Sequence, residues 1–302
     1  MSSKPKGKNN IDLLSVIVPV YKQEKTIIPD LLRIAHTLLR TPYKFEIIAV
    51  VDGTTLDNSY SKIKKIKNNH IFAYGYPTNK GKGQAVRYGM KKAKGNIISF
   101  IDSGMDIDPS GIMMMIEHMK WYDADIIVAS KLHSASYIKN YPPLRKILTY
   151  GYYLFVKLLF GLKIRDTQTG LKAFNRAVLE KVLDRMVIKR FAFDIEILAV
   201  ANRLGYRKIF DCPVRIDFSP YIYNTSVAGK KLLRSIMSFL YDTFGVAYRM
   251  YILKYYDDGQ QRKRTYDKEL DMWVNTGAMT GNQQILIRIV DGIFSGLVRI
   301  FS

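Results

Sequence analysis

The sequence predicts an α/β chain with a mixed, mostly parallel sheet, and three observations carry that prediction. Apolar, β-branched runs alternate with helical stretches through the first half of the chain. The runs are continuous rather than alternating, as strands covered on both faces require. Four of the turns that follow them are acidic or glycine-rich, which places polar groups at one edge of a sheet.

Residues 13–20 form the first run, and a helix is expected over about 26–39. A second strand at 45–51 is cut by Asp52-Gly53, and a third covers 71–76. A helix over 83–94 leads to a fourth strand at 96–101. Asp108-Pro109 has the form of a cap followed by a first-turn proline, so a helix is expected to about residue 122. A strand at 125–130 follows, then a long apolar helix over 144–162, a helix over 194–204 and a late strand at 207–217. No repeat or low-complexity linker interrupts this order.

Residues 1–10 are polar and basic with no apolar core, so they read as a disordered N-terminus rather than a signal peptide. From Gly229 the composition shifts. Lys231, Arg234, Ser238, Asp242, Gly245 and Arg249 trace a polar stripe on an otherwise apolar helix. Arg288, Asp291, Ser295, Arg299 and Ser302 trace a second over 285–302, separated from the first by a polar segment at 257–268. The expected division is therefore 1–10, a catalytic domain over 11–228, and a helical appendage over 229–302. Each helix of the appendage suits a membrane interface, a second copy or another partner, or packing on the chain's own domain, and the wide apolar face of the second favours membrane or partner.

The 302 residues are 48% hydrophobic, enough for a core and against global disorder. A span needs ~20 consecutive apolar residues. Lys157 interrupts the run at 147–162, and Asp242 and Arg249 interrupt 235–256, so no transmembrane helix is expected. Cys212 is the only cysteine, which rules out an intramolecular disulfide and fits a reducing compartment. Against 26 Asp+Glu stand 47 Lys+Arg, a formal charge of +21 that calls for an anionic partner. Nucleic acid, an anionic membrane surface and phosphorylated small molecules all qualify. No nucleic-acid recognition motif is present, so the first is set aside.

The four turns are Pro19-Val-Tyr-Lys-Gln-Glu24, Val51-Asp-Gly-Thr54, Asn79-Lys-Gly-Lys-Gly-Gln84 and Asp102-Ser-Gly-Met-Asp106. Gly81 and Gly83 lack the third glycine of a dinucleotide loop, which Val86 replaces. The loop still offers amides, Lys80 and Lys82 at a helix start, as an anion site does; an exposed lysine-rich turn is the alternative. Asp102 and Asp106 supply two hard oxygen ligands suited to Mg²⁺ or Mn²⁺ with a diphosphate completing the shell.

In order and spacing, residues 15–21, 46–59, 79–90 and 100–109 resemble the catalytic domain of glycosyltransferase family 2. NKGKGQAVRYGM at 79–90, RDTQTGLKAFNR at 165–176 and FDIE at 193–196 are similar to the branch that makes polyprenyl-phosphate sugars, which includes the dolichyl-phosphate β-glucosyltransferases and mannose synthases. The resemblance covers about 12–220. It implies a nucleotide-diphospho-sugar transferase (GT-A type) fold with C-terminal amphipathic helices. It also implies inverting transfer of a hexose from a UDP-glucose or GDP-mannose type donor to a polyprenyl phosphate, peripherally, at the cytoplasmic face of a membrane.

On this resemblance Asp102 binds the metal and Asp106 supplies the carboxylate that Gly104 lacks. Pro19, Tyr21 and Asp52 match the nucleotide-base pocket, with Lys82 beside the donor. Gln23 and Val51 replace acidic residues of the family pattern. Lys131, Arg145 and Thr149 fall where the mannose synthases hold the acceptor phosphate. Asp166, Gln168, Asp194 and Glu196 are assigned to sugar hydroxyls or to loop anchoring. Gly104, Val51 and Gln23 leave a second reading open, a catalytically weakened binding or scaffold module of the same fold.

Overall fold

A computed structural model describes residues 11–104, 106–219 and 230–279. The basic N-terminus and the polar stripe expected over 285–302 lie outside the described residues. The chain runs β1 (Leu14–Val20), α1 (Ile27–Leu38), β2 (Phe45–Asp52), α2 (Ser59–Lys64), β3 (Ile71–Tyr76), α3 (Lys82–Lys92), β4 (Ile97–Ile101) and α4 (Ser110–Trp121). There follow β5 (Ile126–Ala129), β6 (Tyr137–Lys139), α5 (Pro143–Phe160), β7 (Leu171–Asn175), α6 (Arg176–Val182), α7 (Phe193–Arg203), β8 (Ile209–Cys212), β9 (Arg215–Asp217), α8 (Lys230–Tyr251), β10 (Arg262–Asp267) and β11 (Met272–Met279).

Seven strands make the main sheet in the order β3-β2-β1-β4-β7-β5-β8. β7 is antiparallel to both of its neighbours, and the other pairings are parallel. Successive side chains of a strand face opposite sides. Accordingly Val16, Val18 and Val20 join a core beneath α1 and α4, while Ile17 joins the core beneath α3, α7 and α8. Continuous burial along β1, β2 and β4 is the physical cause of their unbroken apolar runs.

Four expectations are corrected. The late strand at 207–217 is two strands, because Pro213 has no N–H to donate to a ladder. β8 stays in the main sheet, whereas β9 pairs with β6 in a separate sheet. The first appendage helix ends at Tyr251, and the polar segment beyond it folds as the β10–β11 hairpin. The appendage is thus not helical throughout. β7, inside the motif at 165–176, was not expected as a strand. Finally, α4 begins at Ser110, with the Asp108 carboxylate accepting from the Ser110 N–H at 3.0 Å.

Among the described residues, no helix is long and apolar enough to cross a membrane.

β7 carries a lysine into the core. Lys172 is fully buried, and its ammonium meets Asp194 of α7 at 2.5 Å and donates to the Thr169 carbonyl at 2.8 Å. Burial pushes the Lys172 pKa down and the Asp194 pKa up, each against the attraction of its partner. Removing one member leaves an unpaired buried charge, which costs about 3–5 kcal/mol, whereas replacing both with apolar groups costs far less. Asp194→Ala should therefore lose most of that in chemical denaturation, and Lys172→Met/Asp194→Leu should recover it. Equal losses in the single and double variants would show that the pair is not what the core needs.

Candidate active site

The parallel strands β1, β2 and β4 end at one edge, and the expected donor residues converge there. Asp102 follows β4. Its N–H donates to the Gly170 carbonyl at 2.8 Å, joining the turn after β4 to the one before β7. A Cβ at Gly170 would stand 1.8 Å from Asp102 Oδ2, so only glycine leaves room for that carboxylate. Lys82, the first residue of α3, brings Nζ to 2.7 and 2.9 Å from the two Asp102 oxygens. Burial opposes its charge, but Asp102, Asp194 and Asp106 outweigh burial and raise its pKa.

Asp106 stands beside this pair. Burial, then the charge of Asp102, raises its pKa. Its Oδ1 is buried and has no hydrogen-bond partner among the described residues. Two neighbouring carboxylates, one with an orphaned oxygen, are the donor set a hard divalent cation needs when a diphosphate supplies the remaining oxygens. The residues present therefore fit Mg²⁺ or Mn²⁺, and among the described residues no third acidic or histidine side chain joins them. Gly104, at φ +122°, sits between them; Gln23 Nε2 would lie 3.8 Å from a Cβ there, while Gln23 Oε1 is buried and unpartnered among the described residues. Val51 is buried in β2.

The expected base-pocket residues frame the same edge. Tyr21 is half exposed, and the Pro19 carbonyl accepts from Ser103 Oγ at 2.6 Å. Asp52 is buried and accepts from the Lys80 and Gly81 N–H groups at 2.7 and 2.9 Å. Its carboxylate therefore shapes the loop at 79–83.

The residues expected to hold the acceptor gather around Asp166 and Phe218. The Asp166 carboxylate accepts from the Lys131 ammonium at 2.7 Å, from the Lys131, Gln168 and Thr169 N–H groups, and from the Thr169 hydroxyl at 2.6 Å. Burial opposes its ionisation, but the Lys131 charge and these bonds hold its pKa down at about 2. Arg145 lies over the Phe218 ring at 4.9 Å and its charge favours ionised Asp106. Thr149 donates to the Arg145 carbonyl and accepts from Tyr141, both at 2.8 Å. β9 holds the two halves together, since the Asp217 N–H donates to the Asp106 carbonyl at 2.9 Å and Phe218 follows directly. Glu196 is turned away from this edge. It accepts from the Val187 and Ile188 N–H groups and from Tyr256 Oη, each at 2.8 Å.

Sequence reasoning missed Gly170 and Lys172, whose importance lies in contacts across β7. It also missed Asp267 and Glu269 in the hairpin turn, which reach Lys80. Met272 and Val274 either side of the more exposed Trp273 were the only alternation available as a signal for that hairpin, and the pattern lapses after Val274.

A family model, Glycosyl transferase family 2, matches residues 15–183, more than half of the chain. The chain belongs to that family. A dolichyl-phosphate β-glucosyltransferase of Drosophila melanogaster is 32% identical over 206 residues, 63% of each chain. One of Dictyostelium discoideum is 30% identical over 214 residues, 66% of this chain and 65% of its own. The matched part thus spans just under two thirds of those relatives. Glucosyl-3-phosphoglycerate synthase of Mycobacterium tuberculosis, solved with Mn²⁺, UDP-glucose and phosphoglyceric acid, superposes with TM-score 0.55 over 84% of each chain at 14% identity. That likeness shows a shared fold, and the expected nucleotide-sugar transferase fold stands.

Two predictions follow from the geometry. Gly170→Ala should turn the Asp102 carboxylate away and weaken Mn²⁺–nucleotide binding at least about tenfold, a loss of ~1.4 kcal/mol, with little change in Tm. Unchanged binding in calorimetry would show that Asp102 does not need this position. The low pKa of Asp166 stabilises the fold fully above its ordinary value of 3.8, and the gain is lost as pH falls towards about 2. Denaturant titrations from pH 5 to pH 2 should lose about 2–3 kcal/mol from this group, and Lys131→Met should move that loss to higher pH. Superimposable profiles for the two proteins would contradict the assignment.

Proposed function

We propose that the chain transfers a hexose from a nucleotide diphosphate sugar to a polyprenyl phosphate at an anionic membrane surface, with Mg²⁺ or Mn²⁺. The observation that carries this reading is the adjacency of two clusters. Asp102, Asp106 and Lys82 would hold a metal-bound diphosphate, and Arg145 lies near enough to Asp106 for its charge to act there, with Lys131 beside Asp166. The relatives' names, dolichyl-phosphate β-glucosyltransferases, support the acceptor class and a glucose donor. The structural neighbour, bound to Mn²⁺ and UDP-glucose, supports the metal and nucleotide.

When bound, the cation neutralises charge on the departing diphosphate. Lys82 adds a second positive charge at the same edge, and Asp52 keeps the loop that bears it in place. An acceptor phosphate is already an anionic nucleophile at neutral pH, so no strong general base is required. Arg145 and Lys131 attract and align that phosphate, and attack from the face opposite the diphosphate inverts the anomeric carbon. Lys131 binds as a point charge beside Asp166, whereas the planar guanidinium of Arg145 can grip two phosphate oxygens at once.

The membrane reading gains support from α5, which starts at the acceptor cluster. Leu144, Ile147, Tyr150, Leu154 and Leu158 are all exposed and recur at helical spacing on one face, while Val156 and Phe160 face the core. Arg145, Lys146 and Lys157 flank that row. Each cation near an anionic leaflet contributes roughly 1 kcal/mol, and the apolar row adds to it.

The test is transfer from UDP-glucose and GDP-mannose to polyprenyl phosphate in anionic vesicles, with Mn²⁺ or EDTA. Transfer from one donor, abolished by EDTA and weakened by salt, is expected. Arg145→Ala should raise the KM for polyprenyl phosphate far more than that for the donor. Donor binding without transfer under any of these conditions would favour the binding-module reading instead.

A further inference from the structure

The β10–β11 hairpin lies beyond the residues matched by the family model, yet its turn closes on the donor loop. Lys80 Nζ is 2.8 Å from Asp267 Oδ2 and 3.1 Å from Glu269 Oε2. Thr78 Oγ1 donates to Glu269 Oε1 at 2.8 Å. Asp267 is itself fixed, since its other oxygen accepts from the Glu269 and Leu270 N–H groups. A lone surface ion pair contributes little. Here two carboxylates converge on one ammonium, and the three side chains are 16–35% exposed, so water competes less.

The same hairpin is anchored on the core along its turn and the start of β11. Leu270 and Val274 are buried, and the Asn275 amide donates to the Asp184 and Met186 carbonyls. The chain then returns from Met186 to the donor loop. Gln84 N donates to the Lys189 carbonyl at 3.0 Å. A Cβ on Gly81 or Gly83 would stand 2.7 Å from the carbonyl oxygen of Lys189 or Arg190, respectively. The loop is therefore held by Asp52 at its amides, by residues 189–190 beneath its glycines, and by the hairpin turn at Lys80.

Lys80 and Lys82 are two residues apart, and Asp102 can pair fully with one ammonium. We propose that Asp267 and Glu269 are positioning residues for the nucleotide diphosphate. They draw Lys80 outward, which reserves the inner position for Lys82 and keeps Gly81 in the φ +100° conformation that turns the chain into α3. The loop is then ordered before the donor arrives, so less ordering cost is deducted from binding. This inference rests on the nucleotide-sugar reading of the site. It makes the hairpin part of the donor site although neither carboxylate touches the donor.

The test is calorimetric titration of the full chain with UDP and with GDP in Mn²⁺, beside steady-state kinetics. Asp267→Asn/Glu269→Gln should bind the preferred nucleotide roughly fivefold to tenfold more weakly, ~1–1.4 kcal/mol. Its donor KM should rise more than its kcat falls, and the acceptor KM should stay as it was. Asp267→Glu, which keeps the charge, should restore tight binding when Glu269 is intact. Should the double variant fail to fold, the single variants Asp267→Asn and Glu269→Gln test the same contact, and each should weaken nucleotide binding by a smaller factor. Wild-type affinity in these variants, or parallel losses in kcat and both KM values, overturns the positioning claim. A wild-type protein that binds neither nucleotide contradicts the nucleotide-sugar reading itself, and the positioning claim with it.

Discussion

A single strand running against its neighbours sets where the chemistry stands. Because β7 enters between β4 and β5 in the antiparallel sense, the turn before it meets the turn after β4. The Gly170 carbonyl accepts the Asp102 N–H, and the bare Cα of Gly170 leaves the volume that the Asp102 carboxylate fills. Lys82 can then reach both carboxylate oxygens from the start of α3. A parallel strand in that place would offer β4 a different turn and no such contact.

The surrounding charges form graded pairs from core to edge. Lys172 and Asp194 are enclosed, Lys131 and Asp166 nearly so, and Lys82 with Asp102 are partly open. Deep pairs hold β7, α7 and the loop at 166–169 in place, since breaking either strands a charge where water cannot compensate. Outer groups keep enough access to solvent to exchange protein partners for ligand. Asp106 is the exception, with a buried oxygen that nothing in the described chain satisfies. A carboxylate in that state is costly unless a cation completes it.

Much of this was legible in the sequence. The strand-ending turns of β1, β2 and β4 and the loop at 79–84 were readable because local rules govern them: continuous apolar runs, glycine at positive φ, acidic residues at a strand end. The motif at 165–176 was read as chemistry and missed as structure, because Lys172 in a strand looks solvated until Asp194 is seen beneath it. Pro213 marked a break that the β-branched and aromatic residues on both of its sides, Ile209, Phe210, Val214 and Ile216, obscured. The hairpin was hidden for a third reason. Six residues of β10, Arg-Lys-Arg-Thr-Tyr-Asp, carry almost no apolar alternation, and their pairing with β11 becomes apparent only in three dimensions. Long-range contacts of this kind leave little trace in a local pattern.

The central claim is that Asp102 and Asp106 together hold the cation that meets the donor diphosphate. Anomalous scattering from Mn²⁺ in a crystal grown with the preferred nucleotide diphosphate tests it most directly. The account predicts one strong peak within coordination distance of both carboxylates, about 2.0–2.3 Å from their oxygens, with Lys82 turned towards the phosphates. A peak bound by other residues, or nucleotide bound at this edge with Asp106 pointing away from the metal, would contradict it.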